Sequence, residues 1–521
     1  MSPRTFTVGL LVASVLALAL RLYGLGEPEY WLDELHSLAD SASQRAEFDA
    51  VGHDTIVDSN ARTTCLTPHA TVSAVWERMR EDRHPPLYFA LLLAWRRLVG
   101  DGEFAVRLLS VLFSVAALFP AAMILYDLGR ARAGLLFAFL LAGSFTPMQM
   151  AQDARPYGLA IFLVSLSYWA VVRVKLSPPD ASGSSPAPAR WRWLLVYGVS
   201  TYLALMTHYF TALALLGLLF FARQLGPRAK AVGFAAGIAA ALFALSWGAS
   251  LVAQVPLMRD QAWLAEAGPG HGLRTLLRLA SAPIRLLFAV PPLAPAAAGG
   301  ALLQVILLAW LARRRSTAAL LLAGWYVVPV LTLAVIDLVS DMRFLGQRRY
   351  LCVASVALVG LVALALDELP RAVRWPLLGG MLLAAAATLP LPTPKNSLDR
   401  HRPRAIATLT RSGDLIVLDR LDRPLYWAVN LYPVVAYRLD RAASGKSCSA
   451  EPQRLPFLLV SQPPRPELLN EIAGFERLVV IVPHPPAEGD PNPLPQRFLS
   501  AGPPDYVPGV GFVYVFARNP A

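Results

Sequence analysis

Two adjacent carboxylates, Asp33 and Glu34, with His36 close behind, follow the first long apolar run of the chain, roughly residues 6–22. A base at a membrane surface has water on one side and lipid-borne substrates on the other, and a positioned carboxylate there can take a proton from a hydroxyl. Other polar groups share this placement at the ends of apolar runs. Arg83 and His84 precede Pro85-Pro86, Asp153 and Arg155 occupy the turn Gln152-Asp153-Ala154-Arg155-Pro156, and His208 sits at a tip. Arg343, Arg348 and Arg349 crowd one short loop. Arginine offers forked donors to phosphate oxygens, so that loop reads as an anion site. Each group also has a plainer reading. Asp33 and Glu34 can be the wet face of an interfacial helix, Arg155 can pair with Asp153, and Arg83 can snorkel its charge to the interface. His84, before two prolines, can be a turn residue.

The elements that must position these groups are membrane helices. Of 521 residues, 55% are hydrophobic and 16% charged, against about 25% charged in a soluble chain. Apolar runs near the length that crosses a hydrocarbon core of about 30 Å recur along the chain. The fold class is therefore a polytopic α-helical membrane protein, with about 11 spans expected over 6–22, 104–128, 133–150, 157–174, 193–208, 210–222, 231–248, 286–312, 317–338, 350–366 and 375–392. Ala17-Leu18-Ala19 has the spacing of a signal-cleavage site, but the run continues to Leu22 and ends at aromatic residues, as a retained span does. Residues 86–99 are apolar but short before Arg96 and Arg97, which suits a helix lying at the surface.

Charge tests this threading. With the N-terminus inside, the basic turns Arg130/Arg132, Arg173/Lys175/Arg190/Arg192, Arg223/Arg228/Lys230, Arg313/Arg314/Arg315 and Arg371/Arg374 fall on one face, as the positive-inside rule requires. The opposite face then carries the loop 23–103, all the polar groups above, a loop near 251–285, the turn 339–349 and everything after residue 393. None of these groups falls near mid-membrane, where an ion pathway places its charges. The net charge of +12 follows from loop orientation and implies no nucleic-acid partner.

Two domains are expected: 1–392 in the membrane, including the large outer loop 23–103 with interfacial helices, and 393–521 outside it as a small soluble α/β domain. In the tail, Leu415–Leu418, Leu478–Val482 and Phe512–Phe516 read as buried strands. Pro178 to Pro188 reads as a flexible cytoplasmic linker. Cys65, Cys352 and Cys448 form no metal pattern; a Cys65–Cys448 bridge is open if both face an oxidising compartment.

The same polar residues carry a family likeness. Asp33-Glu34-Leu35-His36 resembles the Asp-Glu-x-His element of protein O-mannosyltransferases. His84-Pro85-Pro86-Leu87-Tyr88-Phe89, followed by Glu103-Phe104-Ala105-Val106-Arg107-Leu108, resembles the glycosyltransferase family 39 and aminoarabinose-transferase group. Gln152-Asp153-Ala154-Arg155-Pro156-Tyr157 is similar to that group's acidic-x-Arg-x-Tyr turn, and Arg349-Tyr350-Leu351 to its Arg-Tyr-Leu at the start of a late span. The likeness covers about residues 5–370. It implies a GT-C fold, about 11 transmembrane helices, and transfer of a sugar from a polyprenyl phosphate outside the cytoplasmic membrane. The loop near 251–285 lacks the repeated domains of the eukaryotic mannosyltransferases, which argues against a protein acceptor, although the acceptor class (glycan, lipid or protein) stays open.

The chemistry then suggests roles. Asp33 is the expected base, Glu34 holds donor or acceptor, and Asp153 is a second orienting carboxylate or part of a metal site. The phosphodiester leaves as a good anion, so the site needs fixed positive charge where negative charge builds. Arg155, Arg348 and Arg349 are the candidates for that charge, and His36, Arg83, His84, Tyr157 and His208 for further substrate contacts. Attack opposite the phosphate predicts inversion at the anomeric carbon. No cofactor is required by this chemistry, while Asp33, Glu34, Asp153, His36 and His84 supply ligand types a divalent metal would accept. The alternative is a transporter or flippase for lipid-linked glycans.

Overall fold

The computed structural model describes residues 1–27, 30–44, 56–58, 69–178, 188–259, 264–266, 268–290, 294–314, 316–388, 414–418, 456–459, 472, 474–482, 498–500, 505–507 and 511–518. Cys65 and Cys448, Arg315 and most of the 178–188 segment lie outside them. The chain divides into two compact units. The first comprises Met1–Leu25, Met79–Leu91 and Arg107–Leu391, the second Gly26–Arg78, Leu92–Val106 and Pro392–Ala521. Segments of the stretch 23–103 thus belong to the same unit as the tail.

The first unit is a helical membrane bundle. Among the described residues, seven helical stretches are long and apolar enough to cross a bilayer, and an eighth crosses if one bent pair counts as a span. The chain is a multi-pass membrane protein. α1 (Pro3–Leu22) starts where the sequence prescribes, with Pro3 in its first turn and the Ser2 hydroxyl accepting from the Thr5 N–H at 3.1 Å. Further on, the run expected as one span over 133–150 is two helices, α2 (Ala131–Gly143) and α3 (Phe145–Ala151), bent by 55°. Pro147 explains the break, because in a continuous helix it would lack the N–H owed to Gly143 and its ring would strike that carbonyl. Arg21, fully buried near the end of α1, donates to the Ala142 and Leu141 carbonyls at 2.9 and 3.3 Å and to Ser114 Oγ at 3.0 Å. Carbonyls of the last turn of α2, which the break deprives of helical partners, are thereby satisfied.

Other boundaries also move. The span expected over 286–312 is not one helix: α4 (His271–Leu287) stops and α5 (Ala294–Arg314) begins beyond Pro291-Pro292, a pair that no helix interior tolerates. The expected spans 193–208 and 375–392 correspond to helices of 18 residues each, Pro188–Leu205 and Arg371–Thr388, both with arginines near their start. Leu87–Val99 is a helix of 13 residues, about 20 Å long and too short to cross. Deep in the bundle, Gly217 and Gly324 let two backbones touch: a Cβ on Gly217 would stand 2.5 Å from the Gly324 carbonyl oxygen.

The second unit holds one seven-stranded mixed sheet: β1 (Ile56–Asp58), β2 (Leu415–Leu418), β3 (Pro456–Leu459), β4 (Arg477–Val482), β5 (Phe498–Ser500), β6 (Asp505–Val507) and β7 (Gly511–Arg518), in spatial order β1-β3-β2-β4-β7-β5 with β6 also on β7. The central strands β3, β2 and β4 are parallel and the flanking pairs antiparallel. The apolar runs of the tail are thus strands, as their composition predicts, with Leu415, Val417 and Leu478–Val480 buried. β1, from the segment between the first two spans, pairs with β3, so that segment donates an edge strand to the tail's sheet.

Candidate active site

Pro85 and Pro86 cannot sit inside a helix but fit just ahead of one, so Leu87–Val99 starts immediately after them and leaves His84 in the preceding turn. The Leu87 N–H donates to the Met206 carbonyl at 3.1 Å, fixing this turn against the one that carries His208. One helical turn on, the Tyr88 hydroxyl donates to Ser110 Oγ at 3.1 Å, and the Ser110 hydroxyl donates to the Arg155 carbonyl at 3.1 Å. Gly158 makes the second link feasible, since a Cβ there would collide with the Ser110 carbonyl oxygen. Two sequence motifs 70 residues apart in the chain, one around His84 and one around Arg155, are so clipped together through a serine that neither contains.

Their side chains then meet directly. Asp82 Oδ2 lies 2.9 Å from His84 Nδ1, and Arg155 Nη2 lies 3.2 Å from His84 Nε2. The network assigns the tautomer: an acceptor-only carboxylate requires a proton on Nδ1, and a guanidinium that only donates requires the lone pair on Nε2. His84 is therefore neutral and relays the Asp82 charge to a buried Arg155. The His208 ring lies 5.9 Å from that of His84 and 5.7 Å from that of buried Tyr157. His208 Nδ1 accepts the Phe210 N–H at 3.2 Å, which puts its proton on Nε2. Burial first, then the positive charges of Arg155 and Arg349, hold His208 well below the ordinary histidine pKa, so it stays neutral. Phe210 packs its ring 4.8 Å from Tyr350, and the Arg349 guanidinium stands 5.7 Å from the Tyr350 ring. Sequence reasoning missed Asp82, Ser110, Tyr350 and Phe210 as members. Asp82 carried a signal as a carboxylate two positions before a histidine, and Tyr350 as the middle residue of Arg349-Tyr350-Leu351.

The other expected residues are placed differently. Arg348 donates from Nε to the Arg285 carbonyl at 3.1 Å and from Nη2 to the Val290 carbonyl at 2.7 Å, with its guanidinium 5.0 Å from the Phe145 ring. It fastens the loop while its neighbour Arg349 turns toward Tyr350. Arg83 is exposed. Asp153 is half-buried in the turn, where its carbonyl accepts the Arg155 N–H at 2.8 Å. In the second unit, Asp33, Glu34 and His36 lie on the helix Leu32–Ser41. Glu34 is buried in its first turn and accepts the Trp31 N–H at 3.2 Å, capping the helix. Asp33 and His36, three positions apart, share another face and are half-buried. Among the described residues, no three His, Cys, Asp or Glu side chains converge as a metal site.

No protein-family model matches the chain, and neither does any curated protein sequence. Solved structures do. ArnT from Cupriavidus metallidurans bound to undecaprenyl phosphate aligns over 100% of this chain and 99% of its own, at 14% identity and a TM-score of 0.52. The Archaeoglobus fulgidus oligosaccharyltransferase in its apo form aligns over 92% of this chain and 70% of its own, at 9% identity and a TM-score of 0.46. The S. cerevisiae protein O-mannosyltransferase Pmt1-Pmt2 complex aligns over 52% and 36%, at 16% identity and a TM-score of 0.33. With its bundle, its seven-stranded sheet and an alignment to ArnT that runs the full length of both chains, this protein has the GT-C fold.

Proposed function

We propose that the chain is a glycosyltransferase that moves a sugar from a polyprenyl-phosphate donor to an acceptor hydroxyl on the outer face of the cytoplasmic membrane, inverting the anomeric carbon. The observation that carries the reading is the Asp82–His84–Arg155 relay, ending on a buried guanidinium beside neutral His208 and Arg349, within a fold shared with a protein bound to undecaprenyl phosphate. Fixed cationic donors that need no reorganisation are what a departing phosphate requires.

In this reading Asp33 takes the proton from the acceptor hydroxyl. The oxygen attacks the anomeric carbon opposite the phosphate, and the bond to phosphate breaks with its electron pair leaving on the phosphate oxygen. Arg155 and Arg349 offset the charge that develops, and His208 Nε2–H and Tyr157 donate to the sugar or phosphate. Asp153 orients the acceptor side, with His36 beside Asp33. Glu34 supports Asp33 by holding the helix start, and Arg348 holds Arg349 in place. The leaving phosphate needs no general acid and the arginines supply the positive charge, so the reading requires no resident metal ion. Transfer that persists in chelator supports this, and transfer restored only by a divalent metal overturns it.

The test is incorporation of radiolabelled sugar from a polyprenyl-phosphate donor in membranes. Asp33→Asn should lose about 10²–10⁴ in rate, the range of a positioned base, while Glu34→Gln loses less. The reverse pattern exchanges the two roles. Undiminished incorporation with Asp33→Asn returns the reading to a carrier of lipid-linked glycans.

A further inference from the structure

The helices Pro188–Leu205 and Ala229–Arg259 leave an open groove of about 600 Å³ whose lining includes none of the residues of the His84 cluster. The two helices run in the same direction, since Gly198 faces Ala235 and, farther on, the Tyr202 hydroxyl lies 3.3 Å from Ser246 Oγ. Each contributes one rim at four-residue spacing, Trp191, Leu195 and Val199 on one side and Phe234, Ile238 and Leu242 on the other, all exposed. Between the rims the floor is low, because Gly198 and Ala235 have almost no side chain. Arg190 and Arg192 stand at one end, next to the turn that carries Arg228 and Lys230. Arg192 is exposed, and Arg190 is tied to the Pro178 carbonyl at 3.0 Å.

The dimensions fit one occupant. From Arg190 to Tyr202 the groove runs about 18 Å at 1.5 Å per residue, close to the half of a hydrocarbon core of about 30 Å that one leaflet fills. A single acyl chain lies along it, and the arginine pair meets a phosphate at the depth where lipid headgroups begin. We propose that this groove is a binding site for one anionic phospholipid of the leaflet next to the basic turns, the cytoplasmic leaflet under the orientation that charge dictates. Ordinary boundary lipid needs neither the floor nor the arginines. The site makes the bundle responsive to anionic lipid at a place separate from the polar cluster.

The purified full chain in nanodiscs of phosphatidylcholine with about one-fifth phosphatidylglycerol tests this by native mass spectrometry of retained lipid. Relative to the shares of the two lipids in the bilayer, wild type should retain phosphatidylglycerol about thirtyfold over phosphatidylcholine, the scale expected of two interfacial arginines. R190Q/R192Q should bring the two lipids to parity. Gly198→Leu, whose Cβ would stand at an ordinary 3.8 Å from the Ala235 carbonyl oxygen, should release both lipids without lowering the thermal midpoint. Should the double variant misfold, Arg192→Gln alone should cut the preference about fivefold. Equal retention of both lipids by wild type means boundary lipid only and overturns the proposal, as does an undiminished preference once the arginines are gone.

Discussion

The His84 cluster and the loop network around Glu266 both gather arginines and histidines, yet they do opposite things with them. Glu266 lies within reach of two arginines and a histidine: Arg278 through both guanidinium nitrogens, Arg274 at 3.4 Å and His271 at 3.7 Å. Hydrogen bonding to Arg278 above all, then the charges of Arg278, Arg274 and Arg343, hold its carboxyl below the ordinary glutamate range. Nearby, Asp337 accepts the Phe344 and Leu345 N–H groups at 2.7 and 2.9 Å, fixing the turn that precedes Arg348. Charge here is mutually neutralised and shapes a loop. In the His84 cluster, Asp82 aligns a histidine that in turn meets Arg155, and the charges of Arg155 and Arg349 make the surroundings of His208 more positive. Cations with a shared carboxylate build structure, whereas in the proposed function the cations beside a neutral histidine keep a positive field for the departing phosphate.

That contrast fixes the largest expected effect. Arg155→Lys should lose about 10²–10³ in the rate of sugar transfer, the usual cost of removing one preorganised donor to developing negative charge. A lysine keeps the charge but not the planar fork that reaches His84 while facing a phosphate. A Lys variant with full activity would mean that charge alone matters and that the relay does not. Next, Asp82→Asn keeps an acceptor for His84 but makes it neutral, and should cost about tenfold in rate through a weaker hydrogen bond. The readout that separates positioning from fold is the split between kcat and KM, with the loss expected in kcat while the melting temperature is preserved.

His208 supplies a pH test of the same cluster. Unfolded, it takes a proton near the ordinary value of about 6.5; folded, it resists protonation until lower pH. Between those values the unfolded state binds more protons, so this contribution to stability is complete above about 6.5 and declines as pH falls below it. The melting temperature of wild type should therefore drop more steeply below that point than the melting temperature of His208→Asn. Parallel curves would show that His208 is not held neutral by the cluster.

How much of this was legible beforehand depends on whether a residue acts through its type or through its neighbours. His84, Arg155, Tyr157, His208 and Arg349 were visible because charged and aromatic groups at the ends of apolar runs have few bland uses. Asp82 and Ser110 were not, since a surface-loop aspartate and a mid-helix serine are ordinary until a fold brings a histidine and a carbonyl to them. Arg348 and Arg349 are indistinguishable as letters, and only the carbonyls of Arg285 and Val290 separate their tasks. The helical bundle and the tail's strands followed from apolar periodicity. The break at Ser144 and the end at Leu287 were signalled by Pro147 and by Pro291-Pro292, which average hydropathy over a span conceals. β1 could not be anticipated, because a three-residue edge strand draws its identity from β3, about 400 positions downstream.

The smallest effect is expected on the neutralised side of the comparison. Glu266→Gln removes the one carboxylate shared by Arg274, Arg278 and His271, and with its side chain one-fifth exposed the loss should be about 1 kcal/mol of stability. Because the Glu266 carboxyl is held below its ordinary value, its contribution is complete above about pH 4.3 and fades as pH falls through the folded value. The difference in melting temperature between wild type and variant should accordingly be present at neutral pH and shrink in acid. Transfer activity at neutral pH should be retained, since the Arg348 ties to the Arg285 and Val290 carbonyls do not involve Glu266. If activity falls as far as in Arg155→Lys while the variant remains folded, the loop's charges belong to the anion site as well. The distinction between a neutralised network and a positive one would then be lost.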